Sequence, residues 1–128
     1  MVCNMILAKR EKYVLRNWAE GDSSPKGFPG SYTLDFDGQQ VGAIAGSIFA
    51  IQRIDINPKR RGHGTHFIKL MIEVARERKS QGHNVGQKWF MVLGVEGDTP
   101  EDKKALEHIL KDKFGFVCTD EGTWLLPL

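Results

Sequence analysis

The chain has 128 residues, about 41% of them hydrophobic and 27% charged, which predicts a single domain over 1–128 with enough apolar surface to fold without disulfides or a metal. Its formal net charge of +2 is too small to argue nucleic-acid binding on its own. No apolar run approaches the roughly 18 residues of a membrane span, and Lys9, Arg10 and Lys12 follow the short apolar start instead of preceding it, the reverse of a secretory signal.

Residues 9–20 place Tyr13, Val14 and Trp18 four or five apart among charges, which predicts a short amphipathic helix. Gly21 to Gly30 is a Pro- and Gly-rich loop. Tyr32, Leu34 and Phe36 then alternate with polar residues as in a half-buried strand. Asp37-Gly38 is a hairpin turn, and Val41–Ala45 is the return strand. A third strand runs from about Ile48 to Asn57, with Ile54 and Ile56 on one face and Arg53 and Asp55 on the other. Pro58 ends it, having no N–H for a ladder.

A long helix follows, with Phe67, Leu70, Met71, Val74 and Ala75 at three- and four-residue spacing and Gly82 as its stop. Gln87–Val95 reads as a buried strand, with Trp89, Phe90 and Met91 as sheet core. Thr99 is the N-cap of a second helix, Pro100 lies in its first turn, and Asp102 is the acidic partner. Two short strands, about Phe116–Thr119 and Thr123–Leu126, close the chain. Trp18 and Trp124 either pack on the sheet or line a groove. The expected architecture is α+β around one mixed sheet. Cys3 and Cys118 lack metal spacing and are read as free thiols in a reducing, cytoplasmic setting.

The chemistry concentrates between Ile54 and Phe67. A strand ends, the basic turn Lys59-Arg60-Arg61-Gly62-His63-Gly64 follows, and a helix begins. A helix start exposes unpaired N–H groups and the positive end of the macrodipole. Glycines let an anion approach that backbone, and the basic side chains add charge-assisted bonds to phosphate. Thr65 adds a hydroxyl donor. A Rossmann fingerprint is excluded because its third small residue would be Phe67, and the P-loop spacing is missing. His63 and His66 stand three apart but lack a neighbouring ligand set, so they are read as covering the helix start and no metal site is expected.

This segment resembles motif A of the GNAT superfamily of acetyltransferases, Gln/Arg-x-x-Gly-x-Gly/Ala at a helix start, with Lys59 in the place of the usual Gln or Arg. The resemblance runs from about Tyr32 to the C-terminus and includes the ending Phe114-Gly115-Phe116, similar to the family's Leu-Gly-Phe. It implies a mostly antiparallel central sheet flanked by helices and splayed between the motif's strand and the next. It also implies acetyl-CoA as cosubstrate: Ile54, Asp55 and Ile56 would bind the pantetheine arm as an added strand, and Lys59, Arg60 and the backbone from Arg61 through Gly62, His63, Gly64 and Thr65 to His66 would hold the pyrophosphate. A backbone N–H near Ile56 would stabilise the tetrahedral oxyanion.

The family's late-helix tyrosine, general acid to the thiolate, is Lys111 here, and a frequent asparagine seven residues earlier is Lys104. Lys111 or His108, or water, would protonate the thiolate. Asp55 and Glu96 are the candidate general bases for the acceptor amine. The expected reaction is direct acetyl transfer to a primary amine, of a small molecule or a protein, in a ternary complex. The rival reading is a CoA-binding sensor with little turnover, and a nucleic-acid module ranks last. With little chain before Ser31 to shape an acceptor pocket, that site is either open in a monomer or completed by a second copy in a homodimer.

Overall fold

A computed structural model describes residues 4–18, 32–57, 61–83, 86–93 and 99–128. Tyr13 and Leu15 are both buried, two residues apart, the interval at which a strand returns to one face. They lie in a hairpin of β1 (Asn4–Arg10) and β2 (Tyr13–Trp18). The helix expected over 9–20 is therefore corrected to strand over its described part. The four- and five-residue spacing to Trp18 suits a helix, but β3 (Tyr32–Phe36) offers an edge, and β2 takes it with Leu15 opposite Leu34. Tertiary pairing overrides a short periodic signal. Glu11 turns the hairpin at φ 57, a left-handed conformation that glutamate rarely adopts.

Asp37 and Gly38 have φ 52 and 84, as a type I′ turn requires. They join β3 to β4 (Gln39–Ser47), which pairs antiparallel with β5 (Ala50–Ile56). β5 starts later than expected because Ile48 and Phe49 form the turn. A bulge at Ala45/Gly46 shifts the β4–β5 register and bends the pair.

The first helix, α1 (His63–Ser80), buries Phe67, Leu70, Met71, Val74 and Ala75 as its periodicity predicts. It lies on β4, where a Cβ added at Gly42 would come within 2.7 Å of the Phe67 ring. It ends at Gly82, φ 89, with Gly82 N–H donating to Lys79 O (3.1 Å) and His83 N–H to Arg78 O (3.0 Å), the paired bonds that satisfy a helix's last carbonyls.

β6 (Trp89–Val92) is shorter than the expected strand. Phe90 is buried, but Trp89 is 42% exposed, because alternation turns it to the opposite face. The second helix, α2 (Pro100–His108), is capped by Thr99, whose hydroxyl accepts from Asp102 N–H at 3.2 Å. It continues into a π-helical turn, Ile109–Lys113, that buries Leu110. Gly115, φ 76, then releases the chain into β7 (Val117–Cys118) and β8 (Trp124–Pro127). Trp18 and Trp124 are both buried in the sheet's packing, and Trp18 Nε1 donates to Thr33 Oγ1 at 2.8 Å.

The described strands form one sheet in the order β1-β2-β3-β4-β5-β6-β8-β7. Only β5 and β6 are parallel, with α1 as their crossover, as a parallel pair requires. The fold is α+β: a mostly antiparallel open sheet with two helices. None of the described helices is long and apolar enough to cross a membrane.

Candidate functional site

The site is built where β5 hands the chain to α1. The described β5–β6 ladder pairs only Ala50 with Met91 and Ile51 with Val92, extended by Leu93 N–H to Ile51 O at 2.8 Å. Beyond Ile51, β5 has no ladder partner on that side among the described residues. On its other side Asn57 N–H donates to Val41 O at 2.9 Å. Main-chain groups alternate sides along a strand, so those of Asp55 face β4 while those of Ile54 and Ile56 face the open margin. Of the expected trio, Ile54 and Ile56 present backbone to the margin, and Asp55 presents its own to β4.

At the helix entrance, Gly62 has φ 80 and ψ 1 and is the N-cap, with no side-chain capping bond. His66 N–H is the first to find a helical acceptor, Gly62 O at 3.2 Å. The N–H groups of His63, Gly64 and Thr65 therefore point out of the helix end, and the first turn carries no acidic residue. Arg61 is exposed just before them. Gly64 sits over the end of β5: a Cβ there would be 3.6 Å from Ile56 Cγ1 and 3.9 Å from Ile109 Cδ1. That is ordinary contact, so the fold leaves room for a methyl group. Ile109 also shows that the π-helical turn lies against this entrance.

The two histidines do not simply cover the helix start. His63 is buried, 6% exposed, with Nδ1 2.8 Å from the Tyr13 hydroxyl, and its ring lies 5.0 Å from that of Phe36. Burial, then the neighbouring His66 and Arg61 charges, hold its pKa below the usual range. His66 is exposed on one side and stacks on Tyr13, with ring centroids 4.5 Å apart and planes at 22°. Burial, and secondarily the Glu11 charge, raise the Tyr13 pKa. Neither Tyr13 nor Phe36 was marked by the sequence as part of the site. The one available signal was their place at strand positions flanking hairpin turns.

The expected proton-transfer residues are more dispersed. Asp55 points to the face opposite Ile54 and Ile56, in a row across β2 to β5 with Arg16, Thr33 and Ala43. Its carboxylate takes an ion pair from Arg53 Nε at 3.2 Å. His108 Nδ1 lies 2.6 Å from Asp112 Oδ2 on the surface. Lys111 and Lys104 are exposed. Lys59, Arg60 and Glu96 lie outside the described residues, as do Cys3 and the loop from Gly21 to Gly30. Cys118 is a free, exposed thiol.

An open groove lined by Ser47, Phe49, Ala50, Gln87 and Met91 lies at the other end of β5. The strand separates it from the helix entrance, so the concavity and the anion-receptive backbone are different places. The chain matches no protein-family model, no curated protein and no solved structure.

Proposed function

We propose that this chain is a GNAT-type N-acetyltransferase that moves an acetyl group from acetyl-CoA to a primary amine. The observation that carries the reading is Gly64. Alanine would fit there without a clash and would favour the helix by roughly 0.5–1 kcal/mol. Packing therefore does not call for glycine, whereas bare backbone beside three uncapped N–H groups suits a diphosphate. The open margin of β5 lies next to this entrance. It offers the main-chain groups of Ile54 and Ile56 to the amide-bearing pantetheine arm, and the β5–β6 ladder, short among the described residues, supports the splayed sheet that this arrangement needs.

In this reading Arg61 and the first-turn amides neutralise the diphosphate. The acceptor amine attacks the acetyl carbonyl carbon, the Ile56 N–H supports the oxyanion, and collapse expels the CoA thiolate. The amine proton passes to Asp55 or to Glu96. The Arg53 partnership of Asp55 competes with that task. No side chain among the described residues is committed to protonating the thiolate, so water serves beside Lys111 and His108. That dispersal favours a second reading, a CoA-binding sensor with little turnover. A reducing, cytoplasmic setting suits both, as does an acceptor site open in the monomer or closed in a dimer.

Calorimetry with CoA tests the binding, and thiol release with an amine panel tests the transfer. Gly64→Ala is expected to melt no lower than the parent chain while binding CoA at least tenfold more weakly. Unchanged CoA affinity in that variant, or no heat with the parent, removes the proposal. Binding without release for any amine selects the sensor.

A further inference from the structure

The Tyr13–His63 contact joins the N-terminal hairpin to the helix entrance across fifty residues of sequence. Tyr13 is the first residue of β2 and His63 the first residue of α1. Their 2.8 Å hydrogen bond is buried. Phe36 closes on both rings, 4.8 Å from Tyr13 and 5.0 Å from His63, and His66 stacks on the outer face of Tyr13. Among the described residues, the groups acting on the imidazole are the Tyr13 hydroxyl from β2, and His66 and Arg61 from its own segment, with Glu11 acting on Tyr13.

We propose that Tyr13 and His63 are positioning residues for the diphosphate site, a latch that fixes the pose of the first turn of α1. This rests on the reading of that turn as the CoA site. A phenol is a better donor than a neutral imidazole N–H, and an imidazole nitrogen is a better acceptor than a phenol oxygen, so the hydroxyl donates and Nδ1 accepts. His63 sits between two glycines, and its side chain ties the backbone of the turn to the sheet. Glycines at 62 and 64 leave the backbone accessible but soft. The hydrogen bond restores the stiffness that an anion receptor needs, because amides held in place beforehand bind without an ordering cost.

The test uses the full chain with CoA as probe. Tyr13→Phe removes the hydroxyl and keeps the ring. At a temperature where it is fully folded, its CoA dissociation constant is expected to rise about fivefold to tenfold, the scale of one lost hydrogen bond. His63→Leu should match it. His63→Asn, whose side-chain oxygen accepts in place of Nδ1, should recover most of the affinity. The NMR titration midpoint of the His63 imidazole should move up in Tyr13→Phe, because the phenol no longer supports the neutral ring. A purely structural contact would lower the melting temperature of all three and leave the affinity of the folded protein unchanged, which overturns the latch while CoA binding stands. A parent chain that gives no heat with CoA removes the site and the latch together.

Discussion

Gly62 and Gly64 stand two positions apart and answer to different constraints. Gly62 has φ 80, and a Cβ there would meet nothing within 4 Å. Its demand is conformational, at about 1 kcal/mol for a side-chain-bearing residue. Gly64 is helical and has space for a methyl group, so packing among the described residues makes no demand for glycine there. Asp55 is a residue-scale question too. If it is the base, Asp55→Asn should lower kcat at least a hundredfold while the CoA dissociation constant stays put, because its side chain points away from the face of Ile54 and Ile56. An unchanged kcat would pass the role to Glu96. The basic turn and its glycines were legible because glycine spacing and charge are local features. The aromatic frame of Tyr13, Phe36 and His63 was not, since only the folded sheet brings residues fifty apart together.

At the scale of elements, the α1–β4 contact leaves little room for a small change. A methyl group at Gly42 would press against the Phe67 ring at 2.7 Å and reach Ile56 Cδ1 at 3.0 Å, and Phe67 is fully buried. Gly42→Ala is therefore expected to cost about 1–3 kcal/mol in urea unfolding, the range for overpacking a filled core. A loss within 0.5 kcal/mol would mean that the helix can slide on the strand. The strands from Tyr32 to Ile56, both helices and the C-terminal pair were readable from alternation, turn residues and the Thr99 cap. The first hairpin was hidden because Glu11 occupies a position that sequence usually marks with Gly or Asn. Its edge strand β1 is held down from the helix side as well, where Arg10 meets Glu73 at 2.9 Å, an exposed pair of modest worth.

For the whole molecule, buried titratable groups set a pH window. His63 has its folded pKa below its usual 6.5, so the unfolded chain takes up its proton first as pH falls. The stability contributed by the neutral ring is then complete above about pH 6.5 and is lost below it. Burial raises Tyr13 and Tyr32 above their usual 10.0, so the stability tied to their neutral hydroxyls is lost as pH climbs past about 10. The melting temperature should accordingly hold a plateau between these limits and fall on both sides. His63→Leu should flatten the acid limb, and a limb of unchanged steepness would assign it to other groups. Between the limits, mechanics takes over from proton equilibria. Among the described residues, five strands on one side and three on the other meet along two residue pairs, so the line between β5 and β6 is a thin seam between two wings of the sheet. A guest lying along Ile54 and Ile56 would lengthen that seam and damp the twisting of one wing against the other, so that loading the protein and bracing it become a single event.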